Sequence, residues 1–217
     1  MARLLKILFF AVLIRPLVLI FLGLNIRGRN NLPMHGPAII AANHNSHLDT
    51  MVLMSLYPLS RLHRVRPVAA ADYFLRNRFL RWFSLKCVGI IPLERGARKR
   101  SDELFAGCHE ALDAGDILII FPEGSRGEPE LRGKIKKGLF RIVNERTDTT
   151  VVPVMMHGLG RSLPRGEALL VPFNCDVIIG EPMPSLDYAE AFVEWVENSF
   201  DELLGYCVTR AVPDNTD

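Results

Sequence analysis

The sequence predicts an α/β fold: a mixed, mostly parallel sheet of about five or more strands flanked by helices, preceded by an N-terminal hydrophobic membrane-anchor helix. Three observations predict it. Short apolar runs of strand length alternate with segments of helical period. Several of those runs, among them Ala38–Ala42 and Asp116–Phe121, end in polar, turn-rich clusters, as strands of open α/β sheets do where they gather ligands. Leu4–Leu24 is an apolar block unlike anything that follows it.

Composition narrows the classes. At 217 residues the chain is one domain by size, with enough length to bury a core. Its 49% hydrophobic content is high for a soluble domain, and a net charge of +2 is too small for a nucleic-acid binder. Four widely spaced cysteines form no C-x-x-C, so neither a metal site nor a disulfide framework is indicated; they read as buried thiols in a reducing compartment.

Residues 1–27 read as the anchor and 28–217 as the body. Leu4–Leu24 would be about 31 Å long as a helix, close to the hydrocarbon thickness of a bilayer. Arg15-Pro16 interrupts its middle, and a central arginine costs about 3 kcal/mol against small gains from each Leu, Ile, Phe or Val. A kinked span and a helix lying in one leaflet are both open, with Pro16 kinking either. No small-x-small pattern marks a signal-peptide cleavage site. Arg27 and Arg29 directly follow, which favours a body on the cytoplasmic face of the cell (inner) membrane.

Ala38–Ala42 is a buried strand arriving from Gly36-Pro37; Asn43–Ser46 ends it, and a helix starts at His47 or Leu48. On one continuous helix His44 and Asp49 would point roughly 140° apart. With His44 in the turn and Asp49 in the first helical turn, the carboxylate can reach one imidazole nitrogen and leave the other free to take a proton from a hydroxyl. The pair by itself reads first as a polar loop residue and a helix-start carboxylate, and the rest of the chain reverses that preference.

Further along, Pro67–Ala71 is a short strand candidate, and Asp72 opens an amphipathic helix over Tyr73–Lys86 in which Arg76, Arg78, Arg81 and Lys86 alternate with aromatic and aliphatic residues. Such a helix suits an anionic membrane surface, and equally reads as an ordinary helix with a solvated basic face. Cys87–Leu93 is a strand that delivers Glu94-Arg95-Gly96. A helix capped by Ser101 stops at Gly115, and Asp116–Phe121 runs into Pro122–Gly127. Arg95 and Arg126 together can clamp a phosphate, since guanidinium forks match phosphate oxygens. The basic run Lys134, Lys136, Lys137 precedes a helix from Gly138. Thr150–Met156 is a strand whose Pro153 implies an edge or a bulge. Asp176–Ile179 is another strand, and Asp187–Leu204 a helix with Phe192, Val196, Phe200, Leu203 and Leu204 on one side.

These residues carry a resemblance. NHNSHLD (Asn43–Asp49) resembles the H-x-x-x-x-D motif of the glycerolipid acyltransferases, the 1-acylglycerol-3-phosphate acyltransferase family. GIIPLER (Gly89–Arg95), FPEGSRG (Phe121–Gly127) and VVPV (Val151–Val154) resemble its second, third and fourth motifs, in order. The resemblance implies an acyltransferase domain that moves a fatty acyl group from acyl-CoA or acyl-carrier protein to the hydroxyl of lysophosphatidate, with no cofactor and no metal. His44 would be the general base and Asp49 its orienting carboxylate. Arg95, Glu123, Gly124, Ser125 and Arg126 would hold phosphate and glycerol, and Val151–Val154, Pro153 included, would line the acyl or thioester site. His47 matches no catalytic position. Where family members often carry a lysine, this chain has Ala69–Ala71, which keeps another acceptor such as lyso-ornithine lipid open. Outside that class stand a lipase-like hydrolase using His44 against water and a non-catalytic lipid-binding protein.

Overall fold

A computed structural model of the chain describes residues 2–46, 48–74, 77–94, 101–125, 133–162, 173–184 and 188–210. Its strands are β1 (Leu22–Arg27), β2 (Ala38–Ala42), β3 (Val65–Ala70), β4 (Ile91–Leu93), β5 (Ile117–Ile120), β6 (Thr150–His157) and β7 (Phe173–Ile179). They form one sheet in the order β1-β7-β6-β2-β5-β3-β4. Pairing is parallel except between β6 and β7. β2 and β5 are apolar without alternation and buried throughout, as parallel strands covered on both faces must be. The helices are α1 (Ala2–Phe9), α2 (Arg15–Phe21), α3 (Leu48–Ser55), α4 (Ala71–Phe74), α5 (Arg78–Phe83), α6 (Ser101–Asp113), α7 (Gly138–Asn144), α8 (Leu159–Ser162) and α9 (Ala189–Gly205). One face of the sheet, with Ile40, Ile119 and Val152, packs on α3 and the N-terminal helices. The other, with Ile39, Leu118 and Val151, packs on α6, α7 and α9. The mixed, mostly parallel α/β architecture is thus as the sequence predicts.

The anchor segment differs from expectation. Among the described residues no helix is long and apolar enough to cross a membrane. Helix ends at Phe21, and Leu22–Arg27 pair with β7, so the sheet begins inside the stretch expected as anchor. The alternation Leu22, Leu24, Ile26 was the available signal for that strand. α1 and α2 are joined by a π-helical turn, Phe10–Ile14, in which the Arg15 N–H donates to the Phe10 carbonyl just before Pro16. Lys6, Phe10, Ile14, Val18 and Leu22 recur every fourth residue and are all buried. A pure α-helix would rotate such a stripe off the body by about 40° per step; the wider π turn restores it. Both internal cations face the body rather than lipid. Lys6 Nζ donates to the Val65 carbonyl at 2.8 Å and the Arg15 guanidinium to the Tyr57 carbonyl at 2.6 Å.

Three local corrections follow. Cys87 and Val88 belong to a π-helical turn, Ser84–Val88, closed by Gly89 at φ 79°, which leaves only Ile91–Leu93 as strand. The amphipathic helix expected over Tyr73–Lys86 is not continuous: Asn77 is extended and its side chain accepts the Phe79 N–H, capping a new helix. Arg76 lies outside the described residues. Pro153 sits neither at an edge nor in a bulge, because β6 is flanked by β2 and β7. Its carbonyl accepts from Gly180 N at 2.9 Å, one residue past the end of β7. The missing proline N–H, on the same side of the strand as that carbonyl, falls where the β7 ladder, which starts at Val154↔Ile179, has no register pair to supply.

Candidate active site

The turn after β2 is built by its own polar side chains. Asn43 prolongs the sheet: its Nδ2 donates to the Met156 carbonyl at 2.8 Å, and Met156 N donates to its Oδ1 at 2.6 Å. Asn45 Nδ2 donates to the same carbonyl at 3.1 Å. Held between these two, His44 is lifted above the start of α3. There Asp49, fully buried in the first helical turn, accepts three hydrogen bonds on Oδ2: from His44 Nδ1 at 2.8 Å, Asn45 N at 2.7 Å and Ser46 N at 2.8 Å. The turn thus brings together two residues that a continuous helix would keep apart. Burial pushes the Asp49 carboxyl up, while the bonds from His44, Ser46 and Asn45 pull it back. A carboxylate oxygen that already accepts the Asn45 and Ser46 N–H groups cannot donate, so Nδ1 is the donor of this pair and, in the neutral imidazole, Nε2 holds the lone pair. The imidazole also stacks on Phe121, with centroids 4.0 Å apart and planes 17° apart.

Glu123 has a use that differs from substrate contact. It is 3% exposed, and its two oxygens accept backbone N–H groups, Oε1 from His44 at 3.0 Å and Oε2 from Gly133 at 2.8 Å. Burial raises its pKa, and those two bonds lower it. The residue braces the His44 turn from below. Gly124 adopts φ 72°, a left-handed conformation that strains any side chain.

His44 opens onto a cavity of about 750 Å³ whose wall is mostly apolar. Gly124 and Ser125 line it, as do Phe121 and Lys136. Pro153 does not; it lies in the sheet, where an added Cβ on Gly180 would meet its Cγ at 2.8 Å. Val151, Val152 and Val154 are likewise buried strand residues that the cavity does not reach. Arg95, Arg126 and His47 lie outside the described residues. Sequence reasoning gave no role to Asn43, Phe121 or Lys136, although the first two stand inside the quoted motifs and Lys136 inside a noted basic run. Among the described residues no group of His, Cys, Asp and Glu could hold a metal ion. The four cysteines are buried and form no disulfide, in keeping with the expectation of buried thiols.

Comparison with known proteins places the chain in a family. A chloroplastic 1-acyl-sn-glycerol-3-phosphate acyltransferase of Arabidopsis thaliana is 32% identical over 165 residues, 75% of this chain and 44% of that protein. Taffazin of Dictyostelium discoideum is 28% identical over 187 residues, 78% of this chain and 62% of that protein. The crystal structure of the 1-acyl-sn-glycerophosphate acyltransferase PlsC from Thermotoga maritima shares the fold, with a TM-score of 0.70 at 20% identity over 90% of this chain and 77% of that one. The chain spans about half the length of the first curated relatives it matches. A family model described as Acyltransferase matches residues 23–157, from β1 to the end of β6 and across all four motifs. The chain belongs to the acyltransferase family.

Proposed function

We propose that the protein transfers a fatty acyl group from a thioester, acyl-CoA or acyl-carrier protein, to the free hydroxyl of 1-acylglycerol-3-phosphate, giving phosphatidate. The observation that carries this reading is the 2.8 Å imidazole–carboxylate pair at the wall of a mostly apolar cavity of about 750 Å³. Nε2 takes the hydroxyl proton as the oxygen attacks the thioester carbonyl. The tetrahedral intermediate then expels the thiolate, which receives that proton from the imidazolium. Asp49 keeps Nδ1–H oriented and offsets the imidazolium charge. The relatives named as 1-acyl-sn-glycerol-3-phosphate acyltransferases support the choice of acceptor. Arg95 and Arg126 hold its phosphate; they follow Glu94 and Ser125 in the chain, and Ser125 lines the cavity.

The same reading puts the protein on the cytoplasmic face of the inner membrane, with α1 and α2 lying in one leaflet. Leu4, Leu8, Val12 and Leu19 are 53–79% exposed on the face turned away from the body, together with Leu13 and Ile20, and Phe79 and Trp82 of α5 are exposed as well.

The test offers a radiolabelled acyl donor with a panel of lyso-lipids. Phosphatidate should form only with lysophosphatidate present, and His44→Ala should lower turnover by about 10²–10⁴-fold. Fatty acid released equally without acceptor would favour a hydrolase. Preference for lyso-ornithine lipid would move the acceptor, and unchanged transfer in the alanine variant would end the general-base mechanism.

A further inference from the structure

The sheet is unzipped beside the catalytic turn. β3 pairs with β5 over Val65–Pro67, opposite Ile117–Ile119, and on its other edge with β4 over Val68–Ala70, so its ladder to β5 ends at Pro67. A slit therefore opens between the second half of β3 and the end of β5. The cavity runs through it, because Pro67, Val68, Ala69 and Ala70, four consecutive strand residues, all line the one space. Successive side chains of a strand face opposite sides, so a space lined by four consecutive residues reaches both faces of the sheet. The walls agree. Met51, Phe83 and Ile90 belong to the packing on the N-terminal-helix side of the sheet, whereas Leu104, Phe105 and Leu139 belong to the α6–α7 side. The small side chains of Ala69 and Ala70 leave the slit open.

Resting on the acyltransferase reading, which brings two acyl chains to one imidazole, we infer that the sheet separates them. The lyso-lipid chain lies in the arm beside α5, and the donor chain passes through the slit into the arm between α6 and α7. The first arm adjoins the exposed apolar face: α5 sends Leu80 into the cavity and Phe79 and Trp82 outward, and Phe9 of α1 packs on Phe83 at 5.1 Å. A lipid acceptor enters from that side with its chain never leaving apolar surroundings. The second arm has the exposed Lys136 ammonium at its rim, suited to the anionic carrier of a thioester. Chain-length selection for donor and acceptor is then set by different residues.

The experiment varies the two chains independently, using the full-length protein. Each methylene that finds a place in an arm should raise kcat/KM by about 4-fold until the arm is full. Leu104→Trp, at a half-buried position in the α6–α7 arm, should cost long donors at least about tenfold, a few methylenes' worth, while eight-carbon donors and the acceptor profile stay near wild type. Leu80→Trp should do the converse, and Ala69→Phe, in the slit, should follow Leu104→Trp. A readout independent of turnover uses photoreactive chain ends on unmodified protein: the donor should label α6 and α7, the lyso-lipid α3 and α5. Both indole variants shortening the same chain, neither altering a length profile while fold and Tm are retained, or both probes labelling one arm would overturn the separation. A protein that labels as described yet transfers no acyl group would sink the function reading and leave the two arms standing.

Discussion

Glu123→Gln separates a brace from a substrate contact. In the wild type both carboxylate oxygens accept backbone N–H groups, from His44 and from Gly133. A glutamine offers one acceptor oxygen, and its amide nitrogen must then face an N–H. One charge-assisted hydrogen bond is lost, worth roughly 1.5–3 kcal/mol. Part of that is returned to stability, because burial already penalises the charged form of Glu123. Tm should therefore move little. The remainder falls on the His44 backbone, and a displacement on the order of 1 Å at a catalytic group is enough to lower kcat by about a hundredfold. The expected result is a kcat reduced about 10- to 150-fold, with the acceptor KM within about twofold of wild type. Initial rates of thiol release across acceptor concentrations, with a thermal melt, provide the measurement. A tenfold higher acceptor KM at wild-type kcat would mean that Glu123 binds substrate, and the bracing argument would fail.

Arg95→Ala and Arg126→Ala should each raise the KM for lysophosphatidate by about 10- to 150-fold, the worth of charge-assisted hydrogen bonds to a phosphomonoester; equal KM values in all three proteins would reject the clamp. Lys6 is held down from 10.5 to about 7, by burial first and then by Arg66, against an opposing pull from Asp116. Between those values the unfolded chain binds about one more proton, so Lys6's contribution to stability is complete above 10.5 and is lost as pH falls through about 7. Denaturant midpoints of Lys6→Met should exceed wild type most at low pH, with the gap narrowing by roughly 2 kcal/mol between pH 7 and 9; parallel curves would show that Lys6 keeps its ordinary pKa. Replacing Leu8, Val12 and Leu19 together by Asp should move the protein off phospholipid vesicles while leaving turnover on micellar substrate within about threefold, since none of the three lines the cavity at His44. Undiminished vesicle binding would assign attachment to another surface.

The strands whose apolar runs were bounded by turn residues were legible, because burial on both faces of a parallel sheet leaves little else for such a run to be. Cys87–Val88 looked the same by composition, yet Gly89 in the left-handed region and the Ser84 carbonyl, which accepts its N–H, make that stretch helical. Periodicity cannot separate a short buried helix from a short buried strand. β1 was hidden for a different reason: its alternation is continuous with the apolar helix before it, and only pairing with β7, some 150 residues away in sequence, makes it a strand. Pro153 was misplaced because a rule about strand edges holds hydrogen bond by hydrogen bond, and an interior strand can still have a carbonyl side on which the neighbouring ladder has run out.

The His44–Asp49 pair was legible as chemistry and became a geometry only through residues that carry none. His44 and Asp49 at a separation of five meet because Asn43 spends both ends of its amide on Met156, which makes β2 effectively one residue longer and turns the chain at a fixed point. Had Asn43 been apolar, Met156 N would lose its acceptor inside the protein, a cost of about 1–3 kcal/mol if left unsatisfied, while the Met156 carbonyl would keep only the bond from Asn45. The alanines at 69 and 70 belong to the same logic. Read against a motif they are a missing lysine; in the fold they stand where β3 leaves β5, and a long side chain there would occupy the space that the cavity needs. What the segment lacks in charge it supplies as room, and so the departure from the family pattern bears on where an acyl chain can lie as much as on how the headgroup is held.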